Sequence, residues 1–266
     1  MKIVVPVKQV PESGNVKMDP ETGTLIRAGV ETVVNPLDLY ALEAALRLKE
    51  QYGGTVSAVS MGPPQAVKAL KEAVAMGCDE AALISDRKFG GADTHATSYT
   101  LSQAIRSLGA FDIIITGERA TDGDTAQVGP GIAAWLDLPL ATYVSKIGAL
   151  EQGRIQLERL VEEGCQLLSV PLPCLLSVVK AVADPRLPTL KGKIRSMNLP
   201  IPVYTSENMQ LLPEYLGLSG SPTKVVKINT PRLTRGGRTV RVQDDLSLKA
   251  AVDELMAILD RKGVLP

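Results

Sequence analysis

FDIIITGERATDGDTAQVGP, residues 111–130, sets a run of buried-strand residues directly ahead of a polar, glycine-bearing loop that leads into a helix. Phe111–Thr116 carries three consecutive isoleucines with Gly117 behind them, the pattern of a strand covered on both faces. Gly117–Pro130 then lies where ligand phosphates meet the free N–H groups of a helix start. Gly123 and Gly129 let backbone approach closely, Thr125 and Gln127 offer neutral donors, and Pro130 is tolerated in a first helical turn. Asp122 and Asp124 would repel a bare phosphate, which assigns them to loop bracing or ribose contacts. The plain alternative is a polar strand-to-helix loop.

Outward from this stretch the same alternation recurs. Lys2–Gln9, Thr55–Ser60 and Ala81–Ile84 read as further buried strands; Pro6 lacks a ladder donor and predicts an irregular or edge position there. Helices are expected over Pro36–Tyr52, Pro64–Met76, Thr94–Leu108 and Gln127–Leu136, with Asn35 as an N-cap and Gly53-Gly54 as a stop. This order predicts an α/β fold: a mostly parallel twisted sheet with helices on both faces, whose ligands bind beyond the carboxyl ends of the strands. Val7–Pro11, Asn35–Asp38 and Ser60–Pro64 fall at such ends. Val16–Arg27 reads as a surface hairpin, and Arg154–Leu160 with Cys165–Ser169 as an antiparallel hairpin continuing the sheet.

After Val182 prolines punctuate the chain until an amphipathic helix over Leu246–Leu259. The expected division is therefore residues 1–182 as a nucleotide-binding domain and 183–266 as an arm on a partner subunit. An irregular region packed back on its own domain is the alternative.

Composition excludes several classes. The 266 residues carry 29 Lys+Arg against 29 Asp+Glu, which argues against a chain built to grip nucleic acid or an anionic membrane. His95 is the single histidine, so a His-rich metal site is out of reach. Cys78, Cys165 and Cys174 form no CxxC pair and read as reduced thiols. The opening MKIVVPVKQV lacks a signal-peptide layout and no apolar run has membrane-spanning length, so the expectation is a soluble cytoplasmic protein. GxxxxGK[ST], GxGxxG and SGGxDS are all absent, which removes the standard P-loop, the standard NAD-binding unit and a related ATP-dependent enzyme.

VKQVP, NPLDLYALEAAL, VSMGPPQAVKALKEAVAMGCDEA and GERATDGDTAQVGP together closely resemble the beta subunit of electron-transfer flavoproteins, and the resemblance extends to ADPRLPTLKGKIR. It implies a Rossmann-like, adenine-nucleotide-binding fold with a C-terminal arm, paired with an alpha subunit that holds an electron-carrying FAD. Ordinary members hold structural AMP in the beta subunit. Electron-bifurcating members hold a second FAD there, which takes hydride from NADH; the electrons leave for ferredoxin or flavodoxin and, through alpha, for an acyl-CoA or related dehydrogenase. DRKFGGADTHATSY (Asp86–Tyr99), TGTLIRAGV and MGPPQA resemble the bifurcating branch, so FAD is expected, with AMP as the alternative.

Within that segment Phe89, Gly90 and Gly91 could let backbone approach a flat ring, with Asp93 and Thr94 capping the next helix; an ordinary glycine turn is the other reading. The family's nucleotide contacts fall on Pro6, Asn35, Pro36, Leu37, Asp38 and Met61. They continue through Asp122, Gly123, Asp124, Thr125, Ala126, Gln127, Val128, Gly129, Pro130, Gly131, Ile132 and Ala133. Pro6 and Met61 stand where relatives vary and would act through backbone. Leu190 matches the anchor leucine of the dehydrogenase-docking loop. Ala183-Asp184-Pro185 replaces the usual Asn-Glu-Pro, and the downstream lysine run is thinned to Lys191, Lys193 and Arg195, which points to an atypical dehydrogenase. The basic residues from Lys224 to Arg241 are assigned to an acidic face of the alpha subunit, and His95 to a helix start without a catalytic role.

Overall fold

The computed structural model describes residues 1–12, 32–224 and 239–264. Val16–Arg27 and most of the basic stretch after Lys224 lie outside the described residues. The chain divides into two units, Met1–Val226 and Lys227–Pro266. The first runs through β1 (Lys2–Pro6), the pair β2 (Gln9–Pro11) and β3 (Thr32–Val34), α1 (Pro36–Tyr52) and β4 (Thr55–Met61). It continues as α2 (Val67–Met76), β5 (Glu80–Ile84), α3 (Thr94–Ser107), β6 (Ile113–Gly117) and α4 (Val128–Leu136). Then come β7 (Leu140–Glu151), β8 (Arg154–Val161), β9 (Gly164–Pro171), β10 (Cys174–Val178), α5 (Leu190–Asn198) and β11 (Val203–Tyr204).

One sheet holds the strands in the order β11-β5-β4-β1-β6-β10-β7-β8-β9, parallel from β11 to β7 and antiparallel beyond. Both faces are covered, which is why the central strands are apolar throughout. Ile3, Val5, Ile113 and Ile115 pack with Leu42, Leu46, Leu70 and Val74 of α1 and α2. The alternate residues Val4 and Ile114 pack with Tyr99, Ile105 and Ile132 of α3 and α4. From β1 the chain builds outward to β4 and β5 on one side, then crosses to β6 on the other. The strand order therefore reverses between β1 and β6, and a crevice opens beyond their carboxyl ends.

The sequence expectations hold for α1, α3 and the β8–β9 hairpin, and three points differ. The first strand stops at Pro6 rather than Gln9, in the centre of the sheet and not at an edge. Val7 N–H still donates to Val59 O (2.8 Å), and Gln9–Pro11 then turns away to pair with Thr32–Val34. β10, wholly buried between β6 and β7, was not expected, nor was β7. The compact unit also runs past Val182. Glu43 and Glu50 of α1 hold Arg186 in a network of ion pairs, and Arg195 donates to Cys78 O (2.9 Å) and Asp79 O (2.6 Å). β11 pairs with β5, and Asp93 Oδ2 accepts from Thr223 N–H (3.0 Å) and Oγ1 (2.7 Å). Residues 183–224 thus pack back on their own domain.

The second unit contains α6 (Asp245–Arg261), close to the helix expected from its amphipathic pattern. Asp244 Oδ1 accepts from Ser247 N–H (2.7 Å) while Ser247 Oγ accepts from Asp244 N–H (3.0 Å), a reciprocal cap. None of its residues is buried.

Candidate functional site

Residues 7–10 and 34–38, between β1 and α1, lie against residues 117–128, between β6 and α4. Asn35, fully buried, ties them together. Its N–H donates to Lys8 O (2.8 Å), its Nδ2 donates to Arg119 O (2.9 Å), and its Oδ1 accepts from Thr121 N–H (3.1 Å). Asn35 occupies the N-cap position but makes no side-chain cap, because its amide is spent on the opposite loop. Lys8 adds a second tie: its backbone N–H donates to Asp38 Oδ2 (2.8 Å) and its Nζ to Asp122 Oδ1 (2.7 Å). Arg119 Nε reaches Asp124 Oδ1 at 3.0 Å.

Burial raises the Asp38 carboxyl to about 7; the Lys8 N–H, Asn35 and the Lys8 charge pull it down, and Asp122 pushes it up. Gly117 makes the packing possible. A Cβ there would lie 2.5 Å from Asp38 Oδ1 and 2.8 Å from the Leu37 carbonyl, so no side chain fits where β6 passes under α1.

The α4 side of the crevice is built for close approach. Asp124 and Ala126 hold left-handed φ values of 53° and 54°, a costly conformation for residues with a Cβ. The first turn of α4 has no side-chain cap, and Pro130 lacks an N–H to satisfy. A Cβ at Gly129 would sit 2.8 Å from Thr116 Oγ1, itself buried and without a hydrogen-bond partner; Ser60 Oγ at the end of β4 is likewise orphaned. A Cβ at Gly131 would sit 2.6 Å from Ser98 Oγ on α3. These placements divide the expected contacts by location. Asp122, Gly123, Asp124, Thr125 and Gln127 are exposed on the loop and Ala126 and Val128 are half-buried. Gly129, Ile132 and Ala133 are buried, and Pro130 and Gly131 half-buried, in the seat of α4. Pro6 is buried at the end of β1, Pro36 is exposed, and Leu37 and Met61 are half-buried at the rim.

Phe89, Gly90 and Gly91 lie elsewhere, beyond the end of β5. Phe89 is 5% exposed and packs in the α3–α4 core. Gly91 (φ 73°) faces Leu218, 3.2 Å from a notional Cβ, and Leu218 N–H donates to Gly90 O (3.1 Å). This part of the loop thus packs against Leu218 of its own chain. Asp93 does cap α3, through His95 N–H (2.9 Å) and Ala96 N–H (3.1 Å). His95 is exposed, its ring 5.3 Å from Trp135 in an aromatic cluster with Tyr99 and Tyr215, which sequence reasoning missed. Leu190 opens α5 and is 77% exposed; Ile194 and Met197 share its helical face and are also exposed, an apolar stripe that the i, i+4, i+7 spacing could have revealed.

The model of the electron transfer flavoprotein domain matches residues 22–202. The chain belongs to the electron transfer flavoprotein family. It is 44% identical over 266 residues, the whole of both chains, to the electron transfer flavoprotein subunit beta of Thermoanaerobacterium thermosaccharolyticum. It is 46% identical over 241 residues to the caffeyl-CoA reductase-Etf complex subunit CarD of Acetobacterium woodii, covering 90% of this chain and 92% of that one. Protein FixA of Azotobacter vinelandii is 45% identical over 238 residues, 87% of this chain and 85% of its own. As an electron transfer flavoprotein beta subunit it implies an alpha-subunit partner, and its family is flavin-associated. Among the described residues no helix is long and apolar enough to cross a membrane, and no group of His, Cys, Asp and Glu could hold a metal ion.

Proposed function

We propose that this beta subunit holds FAD, with its adenylate half in the crevice between β1 and β6, as part of an electron-bifurcating flavoprotein. Bound FAD would supply the redox chemistry the side chains lack, namely acceptance of hydride from NADH and one-electron delivery to ferredoxin or flavodoxin and to the alpha-subunit FAD. The carrying observation is the polar lattice across the crevice, in which buried Asn35 fixes the Arg119–Thr121 backbone against the start of α1.

The chain's own residues bind and orient. The uncapped first turn of α4 presents N–H groups and positive dipole to phosphate. Glycine at 117 and 129 lets β6 and α4 pack closely against α1 and Thr116 beneath the crevice, and the orphaned Thr116 hydroxyl beside Gly129 is a polar group still lacking its partner. Asp122 and Asp124, braced by Lys8 and Arg119, face ribose hydroxyls rather than phosphate. Leu190, with Ile194 and Met197, forms the docking face for an acyl-CoA or related dehydrogenase, and the relative from the caffeyl-CoA reductase-Etf complex supports a partner acting on CoA thioesters. The unit holding α6 serves as the arm on the alpha subunit. Cytoplasmic residence accords with three free cysteines.

The test is NADH-driven ferredoxin reduction by the assembled complex with its dehydrogenase. Asn35→Ala, which releases the 119–121 loop, abolishes it while the alpha-subunit flavin stays bound. A complex that carries electrons from the dehydrogenase but never oxidises NADH refutes bifurcation and leaves the AMP-holding carrier.

A further inference from the structure

Asp38 is the acid in the first turn of α1, and it is buried where residues 7–10 meet residues 117–128. On the β1 side its Oδ2 accepts from Lys8 N–H (2.8 Å). On the β6 side Gly117 presses so closely that a Cβ there would lie 2.5 Å from Oδ1. Thr116, the preceding residue of β6, meets Gly129 in the first turn of α4 in the same way. One step along β6 therefore links a buried carboxyl to the helix turn proposed to face phosphate.

The cations beside Asp38 are already engaged. Lys8 Nζ bonds Asp122 Oδ1 at 2.7 Å, and Arg119 pairs with Asp124 and Glu118. These five are the charged groups of the two segments packed against it. On α1 itself Tyr40 and Glu43 follow, the latter held by Arg186 and Arg47. Lys8 favours the ionised form of Asp38 and Asp122 opposes it. Burial outweighs the Lys8 attraction, and the carboxyl titrates at about 7.

We infer that Asp38 couples nucleotide binding on this chain to proton uptake, because an anion in the crevice and an ionised carboxylate beneath it disfavour each other. The inference rests on the proposed nucleotide site and adds its regulation by pH. A pyrophosphate keeps both negative charges throughout the neutral range, so the charge that gives way is that of the carboxylate, which takes a proton from solvent as the nucleotide enters. By linkage the proton strengthens nucleotide binding by the same factor. Below pH 7 Asp38 already carries its proton and affinity is at its highest. Affinity then falls as pH rises, until Asp38 is ionised with nucleotide bound as well. Two negative charges beside a buried third weaken binding to the ionised form about tenfold.

The complex with its alpha subunit, freed by dialysis of nucleotide on this chain, is titrated calorimetrically with FAD from about pH 6 to about pH 9. The pyrophosphate and ring of FAD stay in one protonation state over most of that range, whereas the phosphate of AMP titrates within it. Each pH is run in two buffers of different ionisation enthalpy, and the difference in heat counts the protons taken up. The wild-type complex takes up about half a proton per FAD near pH 7.5 and binds about eightfold more weakly at pH 9 than at pH 6. Asp38→Asn, whose amide still accepts the Lys8 N–H bond, takes up none and binds equally well at both ends of the range. Asp38→Ser, smaller and likewise neutral, gives the same flat profile. Uptake that survives in either variant assigns the proton to another group and overturns the inference. FAD binding to the wild type without uptake overturns it too, and both results leave the nucleotide site standing. A wild-type complex that takes no FAD on this chain overturns the site itself.

Discussion

Replacing Asp38 by asparagine tests the electrostatics of the crevice. Its carboxyl, ordinarily near 3.8, is raised to about 7 by burial. Below about pH 4 the group is protonated whether the chain is folded or not. Between that point and 7 the folded chain keeps a proton that the unfolded chain has released, so stability falls as pH rises, and above 7 the loss is complete. From pH 5 to pH 8 the wild-type chain crosses about two of those units, a loss of about 3 kcal/mol. An amide stands in for the protonated acid and can still accept the Lys8 N–H bond made by Asp38 Oδ2. Asp38→Asn therefore gains about 3 kcal/mol relative to wild type between pH 5 and pH 8, and every other titrating group cancels in the difference. Urea unfolding followed by circular dichroism reads this as a midpoint difference that widens by about 1 M. A difference that stays constant between the two pH values, or shrinks, refutes the reasoning.

Gly117→Ala forces a methyl to within 2.8 Å of the Leu37 carbonyl, which backbone alone can relieve; the expected loss is about 2 kcal/mol with poorer nucleotide retention, read by urea midpoint and extracted nucleotide. Arg186→Ala leaves Glu43, with 4% of its side chain exposed, paired only with Arg47, and costs about 2–3 kcal/mol at pH 7. Burial pushes the Glu43 carboxyl up, but Arg186 and Arg47 outweigh it and hold it below its usual range. The stabilisation is thus present above that range and lost as pH falls, so the penalty of Arg186→Ala shrinks in acid; an undiminished penalty contradicts the pairing. Burial also pushes the Cys78 and Cys174 thiols up to about 12, whereas Cys165 is exposed. The folded chain should give one thiol accessible to Ellman's reagent and the denatured chain three.

What the sequence displayed locally, the structure kept. Three isoleucines before a glycine became β6, and the loop after them forms one wall of the crevice, because both signals reside in adjacent residues. β10 was hidden because CLLSV is too short for periodicity to separate strand from buried helix. β7 was hidden because its bulges break the two-residue alternation. The back-packing of residues 183–224 rests on Arg186 meeting Glu43 across 143 positions, a distance at which no pattern speaks. Asn35 misled in an instructive way: a residue of cap type in cap position used its side chain on Arg119 and Thr121 instead. In the sequence Phe89-Gly90-Gly91 reads as backbone open to a flat ring or as an ordinary turn, which does not disclose that the Phe89 ring turns into the core.

The central claim is that a flavin sits on this chain. Acid release of nucleotides from the purified complex with the alpha subunit, quantified as FAD and AMP per heterodimer, tests it most directly. The expected result is about two FAD and no AMP, one flavin per subunit. About one FAD and one AMP would contradict it and make this chain the scaffold of a single-flavin carrier.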